Sequence, residues 1–284
     1  MRTGIFLGML GMLLISTLAA QAYRLQFKDV IGATRQYNIR MVQTGQVNFA
    51  GVQAPVVSNS TMTAIEKVTA VNNGVATLSY MAKNGSVTMK ISNLPGDEEE
   101  QTITQPIPDL AISYDRTALG KVSNMHITGQ QSSVLDGMFN GPTGQLQVPG
   151  QTFTFPDKDL KAGDSWDCTA TFPIGENGKL QVQGKYTLVG TKLGDDGNTY
   201  LQIDGDIAIS VKDMTVKIPM GDQTLAMTIN IDMKGKETTL FDEAAGAVAQ
   251  ENMKFSGTTE VTTPGAEGSM KMDSTNEMTM KRAM

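Results

Sequence analysis

The feature that most limits what this chain can fold into is a two-residue alternation of apolar and polar side chains that runs through much of its second half. Leu180, Val182, Gly184, Tyr186 and Leu188 alternate with Lys179, Gln181, Gln183, Lys185 and Thr187. Met214, Val216, Ile218 and Met220 enclose Thr215 and Lys217, and Leu225, Met227, Ile229, Ile231 and Met233 alternate with Ala226, Thr228, Asn230, Asp232 and Lys234. Near the end of the chain Met270, Met272, Met278 and Met280 fall on even positions, while Lys271, Asp273, Glu277 and Lys281 fall on odd ones. Successive side chains of a strand point to opposite faces, so each run is a strand with one covered and one wet face. That pattern belongs to antiparallel sheets, because parallel sheets covered on both sides read as unbroken apolar runs.

The turns point the same way. Asn73-Gly74 and Asp196-Gly197 sit between apolar-periodic stretches, and both residues of a type I′ hairpin turn need positive φ, which Asn, Asp and Gly tolerate. Asn84-Gly85 and Asn177-Gly178 offer two more such turns. One helix start signal stands out: Ser132 or Ser133 ahead of Val134, Leu135, Met138 and Phe139 predicts a short helix over 132–139, closed by Asn140-Gly141-Pro142. The expected fold is mainly β, an antiparallel meander curved into a half-barrel or large barrel.

The meander looks duplicated. Lys28-Asp29-Val30 recurs as Lys158-Asp159-Leu160, Asn73-Gly74 as Asp196-Gly197, and Tyr114-Asp115 with Gly120-Lys121-Val122 as Phe241-Asp242 with Gly246-Ala247-Val248. Matches in the same order at near-constant spacing point to two related β halves, 23–145 and 146–284, sharing one continuous sheet.

Before residue 23 the chain reads as a secretory signal. Arg2 supplies the positive start, Gly4 to Leu18 the apolar run, and Ala20-Gln21-Ala22 the small residues a signal peptidase reads, which places cleavage after Ala22. The run is shorter than the roughly 20 apolar residues that span a bilayer. The expectation is an exported protein, periplasmic or extracellular and soluble after cleavage. The lone cysteine, Cys168, lies close to the lone tryptophan, Trp166, and both are expected to be buried. The alternative for Cys168 is an intermolecular disulfide or a reactive thiol.

Composition excludes several kinds of chemistry. With 23 Lys+Arg against 29 Asp+Glu and a net charge of −6, the chain has no electrostatic footprint for nucleic acid. A single Cys and a single His rule out zinc-finger and multi-Cys redox readings. No Gly-x-Ser-x-Gly elbow accompanies His126, which sits in a strand-like stretch, and no glycine-rich loop opens a helix to cradle phosphate. The acidic run Asp97 to Glu100 lacks calcium-loop spacing and reads as a solvated loop. Aromatic residues amount to 6%, few for sugar platforms. No enzyme and no cofactor is expected.

Methionine is the outlier, with 19 in the chain. Met227, Met233, Met270, Met272, Met278 and Met280 are the candidate ligand-lining residues, since thioethers adapt to irregular apolar surfaces. The same alternation suits a dry core, and the pairs Met270-x-Met272 and Met278-x-Met280 also suit Cu(I), for which thioethers are selective.

Phe155-Pro156-Asp157-Lys158-Asp159-Leu160 leading to Gly163-Asp164-Ser165-Trp166 resembles the strand entry of exported β-rich bacterial proteins of unknown function, and Phe241-Asp242 to Val248 resembles a hairpin common among them. Their architecture is similar to the half-barrel of the periplasmic lipoprotein carriers, where a curved antiparallel sheet holds acyl chains under short helices. The resemblance implies a lipid or other apolar small molecule as ligand. It covers the second half only, and this chain departs from the carriers in its duplication and scarcity of helix. The combined reading is a non-catalytic envelope protein that binds an apolar ligand or an envelope protein on its aliphatic and Met-lined sheet face. Its alternatives are a structural envelope module with a dry core and a Cu(I)-binding protein.

Overall fold

The computed structural model describes residues 21–49, 52–92, 101–107, 109–128, 150, 152–174, 178–220, 223–263 and 269–283. Among these, every regular element is a strand: β1 (Ala22–Tyr23), β2 (Thr34–Phe49), β3 (Val52–Asn72), β4 (Val75–Ile91), β5 (Gln101–Ile107), β6 (Leu110–Thr117), β7 (Val122–Thr128), β8 (Leu160–Lys161), β9 (Ser165–Ile174), β10 (Gly178–Leu193), β11 (Thr199–Met220), β12 (Gln223–Asp242), β13 (Ala247–Thr262) and β14 (Ser269–Arg282). The helix expected over 132–139 and the acidic run 97–100 lie outside the described residues.

One twelve-stranded antiparallel sheet carries the fold, in the order β7-β6-β4-β3-β2-β14-β13-β12-β11-β10-β9, with β5 paired to the far half of β4. The chain's two halves meet in the middle of the sheet, where β14 pairs antiparallel with β2 from Lys271↔Asn48 to Arg282↔Tyr37. The strands are long, up to 22 residues in β11, against a usual 3–10. A sheet of such strands must coil to cover its own apolar face. It curls into a half-barrel, and the alternation read from sequence becomes an inside and an outside.

Inward glycines give the curl its corners. Gly184, Gly205, Gly235, Gly257 and Gly45 each occupy an inward position, and each has a neighbour where a Cβ would sit. The Tyr186 ring lies over both Gly184 and Gly205, 2.5 Å from where either Cβ would stand. Without side chains there, adjacent strands bend past one another and admit a bulky ring. Asn84-Gly85 proves to be a bulge inside β4 rather than a hairpin turn. Asn84 has φ 53°, the partner of β4 changes there from β6 to β5, and the register against β3 slips between Thr61 and Thr63.

One end of the half-barrel is stoppered by two irregular segments, 24–33 and 152–159. They are clamped together by β1 pairing with β8, Tyr23↔Leu160. Tyr23, Leu25, Phe27, Phe153, Phe155 and Leu160 are all buried, and Phe27, Phe153, Phe155, Trp166, Tyr186 and Phe241 form one aromatic cluster with ring centroids 5.0–6.4 Å apart. Trp166 and Cys168 are buried, as their setting in the sequence predicts, and Cys168 is a free thiol.

The entries into the two halves share a hydrogen-bond pattern. Gly32 donates to Val68 O (2.9 Å) and Val68 N to Ala33 O (2.9 Å), while Gly163 donates to Leu188 O (2.7 Å) and Leu188 N to Asp164 O (3.0 Å). Gly32 and Gly163 have φ 84° and 93°, a region only glycine enters at no steric cost. The sheet slips register just after Val68 and again just after Leu188. Tyr114 of β6 pairs with Leu78 of β4, and Phe241 of β12 pairs with Leu201 of β11.

Candidate functional site

The interior divides into two zones. At the stoppered end, charged side chains sit on inward positions that elsewhere carry apolar ones. Glu66 stands between Ala64 and Val68 on β3, and Arg116 two residues beyond Tyr114 on β6; both are 1% exposed. Arg116 Nη1 donates to Glu66 Oε1 (3.0 Å), and Nη2 reaches Glu66 Oε2 (3.3 Å) and Asp29 Oδ1 (2.8 Å), while Nε donates to Asp29 Oδ2 (3.0 Å). Arg35 Nη1 donates to both carboxylates at 2.9 Å, and the Tyr114 hydroxyl donates to Glu66 Oε1. The Arg116 guanidinium lies 4.3 Å from the centre of the Phe27 ring. Two carboxylates and two guanidiniums make the cluster neutral and tie the segment carrying Asp29 to β2, β3 and β6. Burial opposes the Asp29 charge, but the hydrogen bonds and charges of Arg116 and Arg35 prevail and hold its carboxyl below the usual range.

A second polar group occupies the opposite wall. Glu237 on β12 and Glu251 on β13 are buried and diagonal to one another, since Glu237 pairs with Met253 and Thr239 with Glu251. Glu237 accepts from Thr152 (2.8 Å) and Thr239 (2.7 Å), and Glu251 accepts from the backbone N–H of Gly150 (3.3 Å). Tyr186 donates to Thr152 O (2.8 Å). Burial pushes the Glu237 carboxyl up to about 7 despite the three hydroxyls of Thr239, Thr152 and Tyr186. Burial, and then the charge of Glu237, push the Glu251 carboxyl up as well. The two titrate as a pair, and Glu237, with hydroxyl donors from Thr152 and Thr239, is the better-solvated carboxylate of the two.

Away from the stopper the interior turns aliphatic and Met-rich. Met227, Met233, Met272, Met278 and Met280 all point inward and are buried; Met270 is half-buried and packs against the same core. Met278 stands opposite Met41 on one side and Met253 on the other, a row of three thioethers across β2, β14 and β13. Gln43, Ser58, Ser60, Thr259 and Ser274 are buried on the same inner face, with Gln43 opposite Ser58 and Asn276. Gln43 is 7% exposed, and among the described residues its Oε1 accepts no hydrogen bond. Asn276 donates to Ser274 Oγ (3.2 Å) and to the Met233 sulfur (3.8 Å).

The outer face is the reverse. Lys254 pairs with Glu277 (2.6 Å) and Lys236 with Asp206 (2.7 Å), Thr258 donates to Asp273 (2.6 Å), and hydroxyl pairs join Thr88 to Thr104 (3.1 Å) and Ser165 to Thr187 (2.8 Å). Membrane barrels turn an apolar band outward, so the described outer face is built for water. Two hollows on that face, beside Lys185, Asp206 and Lys234 and beside Thr44, Pro55 and Asp273, are open and polar-rimmed. His126 is exposed on the edge strand β7. Among the described residues no cluster of three or more His, Cys, Asp or Glu side chains has metal-binding geometry.

The class this defines is a curled antiparallel β-sheet with a buried, largely apolar inner face that carries two polar groups, a charged and polar outer face and a stoppered end. Residues 129–248 match the model of a family of unknown function, DUF6263. No curated protein matches the chain. Similar solved structures include the COG4313 outer membrane channel from Pseudomonas putida F1, at 8% identity and TM-score 0.30, covering 90% of this chain and 97% of that one. They also include the Salmonella typhi OmpF complex with daunomycin, at 8% and 0.21 with 91% and 100% covered. A third is the translocator domain of the autotransporter NalP from Neisseria meningitidis, at 9% and 0.21 with 90% of each chain covered. None of the three is a lipoprotein carrier.

Sequence reasoning picked out the Met-bearing face and passed over the buried Glu and Arg side chains. A signal for them existed: Glu66, Arg116, Glu237 and Glu251 all occupy the inward parity of their strands.

Proposed function

We propose that this is a non-catalytic, exported envelope protein that encloses an apolar or amphiphilic small molecule in the Met-lined zone of its interior. The observation that carries the reading is Gln43 Oε1, a buried acceptor without a donor among the described residues, which stands opposite Ser58 and Asn276 and diagonal to Met278 where the polar patch meets the Met-bearing wall. A buried polar atom left unpaired costs about 1–3 kcal/mol, and a guest with one neutral donor, such as a hydroxyl or a protonated carboxyl, would remove that cost. At the stoppered end the buried carboxyl and guanidinium groups are satisfied by one another and by nearby donors, while the Trp166 indole N–H is a buried donor without an acceptor among the described residues. Export rests on the signal-like stretch ahead of Tyr23, and the water-facing outer surface suits a soluble envelope protein. The non-catalytic reading rests on the lone His126 standing outside the interior.

The structural module without a ligand is the second reading. It is favoured by the burial of five of the six candidate methionines, which is what a packed core produces. The apolar dye N-phenyl-1-naphthylamine separates the two. Dye binding to the folded protein, displaced by hexadecanol or palmitic acid and weakened in Gln43→Leu, supports the ligand. No dye binding, together with Met272, Met278 and Met280 resistant to peroxide until unfolding, leaves the module.

A further inference from the structure

Gly150 and residues 152–156 do two jobs at once. On one side they bridge the free edges of the sheet. Thr154 N–H donates to Cys168 Sγ on the edge strand β9 (3.1 Å), and Phe155 N–H to Leu119 O in the β6–β7 turn (2.7 Å). On the other side they reach across the interior to the opposite wall, where Thr152 and Gly150 are held by Glu237 and Glu251. The seam between the two sheet edges is thus closed, at this end, by a strap whose inner anchors are two buried carboxyl groups. We propose that this strap is a proton-controlled latch: with one proton shared between Glu237 and Glu251 it is docked, and when that proton leaves it swings out and opens the seam to water.

The reasoning is electrostatic. Docked, the strap and the walls of β10, β12 and β13 exclude water from both carboxyls. The groups facing them are Thr152 from the strap, Tyr186 from β10, Thr239 from β12 and Tyr80 from β4, with Cys168 beyond Tyr186. The buried cations Arg35 and Arg116 are already matched by Asp29 and Glu66. One negative charge is tolerable there because Glu237 accepts several hydroxyl hydrogens. Among the described residues a second has no donor beyond the Gly150 amide and no cation in hydrogen-bond contact, and two like charges in a buried site repel strongly. Release of the strap hydrates both. The strap is the piece that can yield, since it joins no ladder of the main sheet, whereas β12 and β13 are paired along their length.

Trp166, the sole tryptophan, is a built-in reporter, stacked at 5.9 Å on Tyr186 and 6.4 Å from Phe155 of the strap. The experiment titrates its emission and acrylamide quenching in the intact protein from pH 5 to 9, with circular dichroism in parallel. The expected result is a red shift and loss of protection on the alkaline side while the strand signal is unchanged. Glu251→Gln, which stays neutral, should lose the transition, and Thr152→Val, which removes one anchor and keeps both carboxyls, should move its midpoint to lower pH. A flat profile in the wild-type protein overturns the proposal. So does a transition whose midpoint is the same in Glu251→Gln, or a red shift accompanied by loss of strand signal.

Discussion

Replacing Arg116 with Met keeps most of the side chain's volume and removes its charge. Four hydrogen bonds to Asp29 and Glu66 go at once, and the balanced cluster of two guanidiniums and two carboxylates is left one negative charge in excess. Arg35 still reaches one oxygen of each carboxylate, but Asp29 Oδ2 loses its donor and Glu66 Oε1 keeps only Tyr114. Removing one partner from a buried pair costs about 3–5 kcal/mol, and the lost stacking on Phe27 adds up to about 1 kcal/mol. A loss of about 4 kcal/mol is a large part of a domain's typical stability of about 5–15 kcal/mol. In urea, at a slope of about 2–3 kcal/mol per molar, the midpoint should fall by about 1–2 M, followed by circular dichroism and Trp166 emission together. Adding Glu66→Gln restores neutrality and should return more than half of the loss, because the cost lies mainly in the unpaired charge. A single variant that loses less than about 1 kcal/mol, or a double variant whose losses add, refutes the view of this cluster as a charge-balanced clamp.

The pH dependence of stability has two opposing limbs. Asp29 is held low in the folded state, so its contribution is present above the unfolded value and fades as pH falls through the folded one; Glu237 and Glu251 are held high, so theirs is complete below the unfolded value and fades as pH rises toward about 7 and beyond. Urea unfolding at a series of pH values should therefore show maximal stability in mildly acidic solution, and a maximum at pH 8 or above contradicts the assignment. Gly205→Ala places a methyl 2.5 Å from the Tyr186 ring and should cost about 1–3 kcal/mol through overpacking, read as a lowered melting temperature. The companion change Tyr186→Leu should make the same alanine nearly harmless.

How much of this was legible depended on how far apart the decisive residues lie in the chain. The strands over 178–193 and 269–282 could be read because period two is a local property: each side chain's face follows from its neighbours two positions away. The Asn73-Gly74 hairpin was legible for the same reason, both turn residues having positive φ, whereas Asp196-Gly197 marks a hairpin whose loop is longer, 194–198, with only Gly197 of the two at positive φ. Asn84-Gly85 has the same chemistry and became a bulge, because β4 continues past it to pair with β5, a choice made by strands elsewhere. The Met-bearing face was legible as a face. Its closure was not, since burial of Met278 requires β2 and β13 to arrive on either side.

Local alternation and turn chemistry thus determined that this chain is an antiparallel β-protein with one apolar and one polar face. Only the tertiary structure decided which charged residues stand inside. Arg116 meets Asp29 across 87 residues of chain and Glu66 across 50, and Glu237 meets the strap residue Thr152 across 85. A buried charge is tolerated only where the folded chain brings it a partner. The identity of that partner is a property of the curled sheet and its stopper, which no window of sequence contains.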